Sequence, residues 1–266
     1  MDKQKYHILK NNKISSVFLK RDVVYDLIIP SSSYFIESVP TLLMNDGQDY
    51  EQLELETLAR NHYQNGGEAF VFVGIHTNEN RLKEYGTSNI PDYKGRGSLA
   101  TAYMNFIVSE LLISLRNNYP IIVNFSKTGF CGFSLGGLSA IDIAWENPHL
   151  FSKVGVFSGS FWWRDKAYED GYQDDIDRIM HNKIRNSEHK KGLKFWFECG
   201  TNDETADRNN NGIIDAIEDT LDLISELRKK NYSDEDITYV EVKGGEHNFG
   251  TWKKVFPNFL EWFLKN

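Results

Sequence analysis

Between Lys127 and Trp145 an apolar run narrows to Gly132-Phe133-Ser134-Leu135-Gly136 and then continues in small and apolar residues. A serine with glycine at i−2 and i+2 suits a sharp turn from strand into helix, because residues without a Cβ let two backbone segments close on each other. Lys127 to Phe133 reads as a short buried strand, and Leu135 to Trp145 as the start of a helix that Pro148 would stop. Phe151 to Ser158 reads as the next strand. Strand, turn, helix and strand in this order predict a parallel sheet covered by helices. An ordinary Gly-Ser-Gly loop would explain the five residues but not their flanks.

The rest of the chain extends the pattern. Ser15 to Leu19 and Val23 to Ile29 alternate as antiparallel strands would, and Val39 to Asn45 is a compact apolar strand that ends at Asp46-Gly47-Gln48-Asp49. Glu51 to Asn61 is expected to be a short helix and Glu68 to Ile75 a strand buried on both faces. Apolar residues at three-and-four spacing mark a helix over 102–115. Leu193 to Cys199 and Ile237 to Val242 read as later strands, Ile213 to Lys230 and Trp252 to Leu264 as helices. The predicted fold is α/β, a mostly parallel central sheet with antiparallel N-terminal strands and helices on both faces. No Pro/Ser-rich linker divides residues 1–266, so a single domain is expected, with a polar segment at 164–191 as a small cap-like insertion.

Composition removes several function classes. A net charge of −8 argues against a nucleic-acid partner. No apolar stretch approaches the roughly 20 residues that cross a bilayer. Met1 to Lys10 lacks an apolar signal core, so the chain as given is expected to be cytoplasmic, or secreted or periplasmic if a signal has been removed. Cys131 and Cys199 lie in separate apolar strands and are read as unpaired.

A serine hydroxyl becomes a nucleophile only when a base takes its proton and an acid orients that base. On a sheet of this kind the acid and then the base follow the serine in sequence, on loops after later strands. Asp203 follows the 193–199 strand and His247 follows the last strand. Glu204 competes with Asp203, which is nearer the strand end and better anchored. His7, His62, His181 and His189 lie in polar surroundings and read as solvated, while His149 follows Pro148 at a helix end. His76 follows a central strand and reads as a pocket wall or a structural hydrogen-bond partner. Two backbone amides must meet the developing oxyanion. Leu135, directly after the serine, is one; Gln48, after the Asp46-Gly47 turn, is the other.

A second constellation stands at Asp207-Arg208-Asn209-Asn210-Asn211-Gly212-Ile213-Ile214-Asp215-Ala216-Ile217-Glu218, which satisfies D-x-[DN]-x-[DN]-G-x₅-E. Asp207, Asn209 and Asn211 would offer side-chain oxygens, Ile213 its carbonyl, Asp215 a water-mediated contact and Glu218 a bidentate carboxylate, which is the ligand set of a structural Ca²⁺. Only an exit helix is evident. The alternative is a polar turn that opens a helix, with its acids near the positive end.

With these pieces in place the chain resembles the family of α/β-hydrolases named putative esterases, which includes enterochelin esterases, feruloyl esterases, S-formylglutathione hydrolases and mycolyltransferases. The likeness is carried by TLLMNDGQ (41–48), GFSLGGLSA (132–140), FSGSFWW (157–163), ECGTND (198–203) and GGEHNFGTW (244–252). It implies an α/β-hydrolase fold with catalytic Ser134, Asp203 and His247 and oxyanion donors Gln48 and Leu135. Arg81, Glu84 and Tyr85, in RLKEY, resemble the family segment that follows the fourth strand and borders the site. Trp162 and Trp163 would face an acyl or aromatic group or else belong to the core. The expected activity is that of a serine carboxylesterase on a small-molecule ester, with no organic cofactor. Acyl transfer to a sugar or glycerol hydroxyl and a non-catalytic calcium-stabilised binding module are the alternatives. The calcium-type loop and residues 164–191 depart from the family pattern.

Overall fold

Short apolar runs that must be covered on both faces decide the architecture. The structure is a computed structural model that describes residues 6–31, 39–119 and 127–265. Its strands are β1 (Tyr6–Ser16), β2 (Arg21–Pro30), β3 (Thr41–Met44), β4 (Val71–Ile75), β5 (Thr128–Phe133), β6 (Lys153–Phe157), β7 (Lys194–Asn202) and β8 (Ile237–Glu246). They form one sheet in the order β1-β2-β4-β3-β5-β6-β7-β8. β2 is antiparallel to both β1 and β4, and every later pairing is parallel.

Helices fill both faces: α1 (Leu55–Gln64), α2 (Arg81–Glu84), α3 (Ala100–Phe106), α4 (Leu112–Asn118), α5 (Leu135–Glu146), α6 (Asp174–Asp177), α7 (Ile179–Arg185), α8 (Asp215–Lys229) and α9 (Phe249–Leu264). Leu43, Phe130, Val154, Val156, Phe195 and Phe197 point into one core, where they meet apolar residues of α3, α4, α5, α7 and α8. Their neighbours Leu42, Met44, Cys131, Phe157 and Trp196 point into the other, against α1 and α9. Two buried layers explain why these strands read as continuous apolar runs. At Gly155 a Cβ would lie 2.4 Å from the Phe259 ring, so α9 packs closely on the middle of the sheet because a glycine stands there.

The sequence expectations hold for the sheet and for an antiparallel opening, but the first strand is Tyr6–Ser16 and most of the Ser15–Leu19 stretch expected as strand is the turn that joins β1 to β2, its ladder closing at Ser16 and Arg21. The helix expected at Glu51–Asn61 is split: Gly47–Leu53 forms 3₁₀ turns, and Glu54 at φ +51° redirects the chain into α1. The 102–115 helix continues from α3 to α4 through a π turn at Ile107–Leu111. Cys131 and Cys199 are free and buried, with β6 lying between their strands. No helix among the described residues is long and apolar enough to cross a membrane.

The segment 164–191 differs more. Ile179, Met180 and Ile184 of α7 are buried in the first core, so this stretch is partly a core element and not only a polar cap. His181, expected to be solvated, is 1 % exposed, with Nε2 2.8 Å from the Asp219 carbonyl. A helix of two turns hides an apolar stripe too short to register as a period, and its charged neighbours are paired: Arg178 bonds Asp219 at 2.6 Å and Asp222 at 2.7 Å.

Candidate active site

Ser134 is the junction of β5 and α5, at φ +52° and ψ −123°, a region that costs a non-glycine residue about 1–3 kcal/mol. Four backbone contacts hold it there. Its N–H donates to the Phe157 carbonyl at 2.8 Å, and its carbonyl accepts from Gly137, Leu138 and Ser160 at 3.1–3.2 Å. The flanking glycines are required: a Cβ on Gly132 would lie 2.4 Å from the Gly136 carbonyl oxygen, and one on Gly136 would lie 2.8 Å from Asp46 Oδ2. Leu135 is the first residue of α5, so its N–H has no acceptor within that helix. Ser134 Oγ lies 3.3 Å from Ser160 Oγ.

The loop after β3 is packed against this turn. Asn45 donates from Nδ2 to the Gly136 carbonyl at 2.7 Å and accepts from Tyr103 at 2.6 Å. Asp46 sits at φ +57°. Its carboxylate is gripped by Arg81 through Nε (2.7 Å) and Nη2 (2.8 Å), and its N–H donates to Tyr85 Oη at 3.0 Å. Burial raises the Asp46 pKa, with Arg81 opposing. Arg81 and Tyr85 therefore brace the turn that presents Gln48. Gln48 itself is exposed and accepts from the Thr77 N–H at 3.1 Å.

Asp203 and His247 stand at the ends of the next strands. Asp203 closes a turn by donating its N–H to the Gly200 carbonyl at 3.2 Å, and both of its carboxylate oxygens are buried without a hydrogen-bond partner. His247 lies between β8 and the N-cap of α9, where the Asn248 side chain accepts from the Thr251 N–H. Its ring meets Trp252 edge-on at 5.3 Å. One edge of His247 faces solvent, yet burial of the rest pulls its pKa below the ordinary imidazole value; the Asp203 charge opposes this and the Arg81 charge adds to it. Burial first, and then the charges of Asp215, Asp219 and Asp203, raise the Glu204 pKa, while a backbone hydrogen bond at Ala216 opposes them.

Other expected site residues fall elsewhere. His76 Nε2 lies 2.9 Å from Asp26 Oδ2, the structural role open to it from the sequence. Tyr85 and Trp163 are buried, the latter in the first core, and a Cβ on Gly86 would lie 2.8 Å from the Trp163 ring. Trp162 is only partly buried, and Arg96 lies over it at 5.0 Å. In the 207–218 loop, Asn209 and Asn211 donate side-chain amides to Glu218 at 2.7–2.8 Å, and Asp207 accepts from the N–H groups of Asn211 and Gly212. Asp215 is turned to Arg208, whose guanidinium also pairs with Asp174 and Asp219. Among the described residues no group of three or more His, Cys, Asp or Glu side chains converges on one point, so the fit to a cation is partial: Asn209, Asn211 and Glu218 close on one another, Asp207 holds backbone N–H groups, and Asp215 is engaged by Arg208.

A family model described as "Putative esterase" matches residues 16–263. The chain belongs to this family. Among curated relatives, this family member is 24% identical over 237 residues to the uncharacterized protein YbbA of Bacillus subtilis, with 88% of each chain covered. Among solved structures it is similar to the enterobactin esterase FES of Shigella flexneri (20% identity, TM-score 0.70), covering 98% of this chain and 59% of that one. It also matches a ferulic acid esterase (14% identity, TM-score 0.72, 98% of each chain). The S-formylglutathione hydrolase FrmB of Staphylococcus aureus matches at 15% identity and TM-score 0.68, over the whole of each chain. These likenesses give this family member an α/β-hydrolase-like fold.

Three polar groups near the site were not singled out from sequence. Ser160 lies within FSGSFWW, so its motif was visible while its contact with Ser134 was not. Ser158 accepts from Trp252 Nε1 at 2.9 Å, which ties the loop after β6 to α9 beside His247. Glu198, one polar residue in an apolar strand, is buried without a partner for either carboxyl oxygen.

Proposed function

We propose that the chain is a serine carboxylesterase acting on a small ester through an acyl-enzyme. His247 takes the Ser134 proton, Ser134 Oγ attacks the ester carbonyl, and the alcohol leaves with that proton. Water activated by His247 then releases the acid and frees the serine. The N–H groups of Leu135 and Gln48 meet the oxyanion. His247, with its pKa lowered by burial, is neutral at pH 7 and ready to act as base. Asp203 opposes that lowering and stabilises the imidazolium once it forms. The observation that carries the reading is Ser134 held at positive φ on the strand-to-helix turn, at the carboxyl ends of the parallel strands, where Asp203 and His247 also follow their strands.

The 207–218 loop enters the same reading as a calcium tether for the acid loop, with no part in the bond-making steps. Labelling with a fluorophosphonate probe, followed by a panel of acetyl, butyryl, feruloyl and catecholate esters, tests the function. Wild type should label and Ser134→Ala should not. Undiminished labelling of the alanine variant, or none of the wild type, would sink the proposal.

A further inference from the structure

Glu198 is a buried acid that the reaction above does not use. It is 1 % exposed, pairs in register with Phe157 of β6 and Val240 of β8, and has no hydrogen-bond partner on either carboxyl oxygen. Side chains alternate along β7: Phe195, Phe197 and Cys199 face one way, with Cys199 against Thr220 of α8, and Trp196 and Glu198 face α9. Gly200 continues that second row, and a Cβ there would lie 2.7 Å from Asp203 Oδ1. The Asp203 carboxylate therefore fills the place of the missing side chain, one step above Glu198 on the same face.

Two carboxyl groups so placed, both buried and both without a partner, cannot both be ionised cheaply. The surrounding groups supply no cation. Ser158 donates its N–H to the Glu198 carbonyl at 2.7 Å, and its hydroxyl, which accepts from Trp252 Nε1, makes no full hydrogen bond to the Glu198 carboxyl yet favours its charged form, against the larger effects of burial and the Asp203 charge. Val240 of β8 shares its face, Tyr239 and Glu241 alternate to the other face with Cys199, and His247 feels the Asp203 charge.

We propose that Glu198 is a positioning residue for the triad: it keeps its proton at neutral pH and donates it to the Asp203 carboxylate, fixing that carboxylate toward His247. The inference rests on the serine esterase reading. Burial first, and then the Asp203 charge, push the Glu198 carboxyl up to about 8, in keeping with a retained proton. When Glu198 ionises the donor is lost, the two carboxylates repel, and Asp203 loses its orientation.

The test is kcat and KM against pH for wild type, Glu198→Gln, Glu198→Ala and Ser134→Ala, each with its melting temperature measured to confirm folding. Glu198→Gln keeps a donor in the same shape. It should stay within about threefold of wild-type kcat at pH 7 and lack the fall in kcat/KM expected of wild type near pH 8. Glu198→Ala should lose about tenfold or more in kcat with KM little changed. Wild-type kcat in Glu198→Ala, a Glu198→Gln profile that superimposes on wild type, or a Glu198→Gln variant as slow as Glu198→Ala would each overturn the role. If those results appear while Ser134→Ala is inactive, only the Glu198 role fails. Activity surviving in Ser134→Ala rejects the serine reading and this inference together.

Discussion

At the scale of single residues, Ser134 holds a strained backbone, with φ +52° imposed by contacts from β6 and α5. Glycine occupies that region freely, whereas serine and alanine do not. Ser134→Gly is therefore expected to be more stable than Ser134→Ala by about 1 kcal/mol, after allowing for the greater chain entropy glycine loses on folding. In thermal unfolding this is a melting temperature roughly 2–4 °C higher. Equal melting temperatures would show that the turn is not held at positive φ in solution. The serine and its glycines were legible because the pattern is local. Glu198 and Ser160 were not: one polar residue in a strand, or one in a loop, acquires its partner only from elements distant in sequence.

At the scale of elements, the loops at the ends of the parallel strands hold the candidate site residues. The β3 loop, with Asp46 gripped by Arg81, has its sequence signal split between residues 35 apart, so each half was visible and the grip was not. The β7 loop runs from Asp203 into the 207–218 turn and α8. Calcium there would bind the folded loop alone and stabilise it by mass action. At a hundredfold excess over its dissociation constant that is about 2.7 kcal/mol, or a rise of roughly 5–10 °C in melting temperature. Arg208 works against the ion, with its guanidinium 3.8 Å from Glu218 Oε2. Melting curves in a chelator and in millimolar calcium decide the matter; identical curves would end the calcium proposal. α7 was missed as a core element because charged residues at its start and end mask Ile179, Met180 and Ile184.

At the scale of the whole molecule, buried titratable groups set how stability depends on pH. His181 is pushed down to about 3, by burial first and then by the Arg178 charge. Its unfolded value is 6.5, so the stability tied to its neutral form is present above pH 6.5 and is lost as pH falls toward 3. Glu198 behaves oppositely. Its folded value of about 8 exceeds the unfolded 4.5, so its contribution is present below pH 4.5 and is lost as pH rises toward 8. Between 4.5 and 6.5 the two slopes offset, and above 6.5 only that of Glu198 remains. Wild type should lose melting temperature from pH 6.5 to 8 relative to Glu198→Gln, and parallel curves for the two proteins would contradict a buried, protonated Glu198.

What the sequence by itself determined is the part of the structure with a local signal. Period-two strands, three-and-four helices and glycine punctuation defined an α/β sheet, and the order of Ser134, Asp203 and His247 along the chain placed one candidate at the end of each of three strands. Only the tertiary structure decided which polar groups share a buried space: Asp46 with Arg81, Arg178 with Asp219, Glu198 with Asp203. The physical reason is that a polar residue's burial and partner depend on which distant elements pack over it. Local periodicity records the face a residue takes, but not the group it meets there.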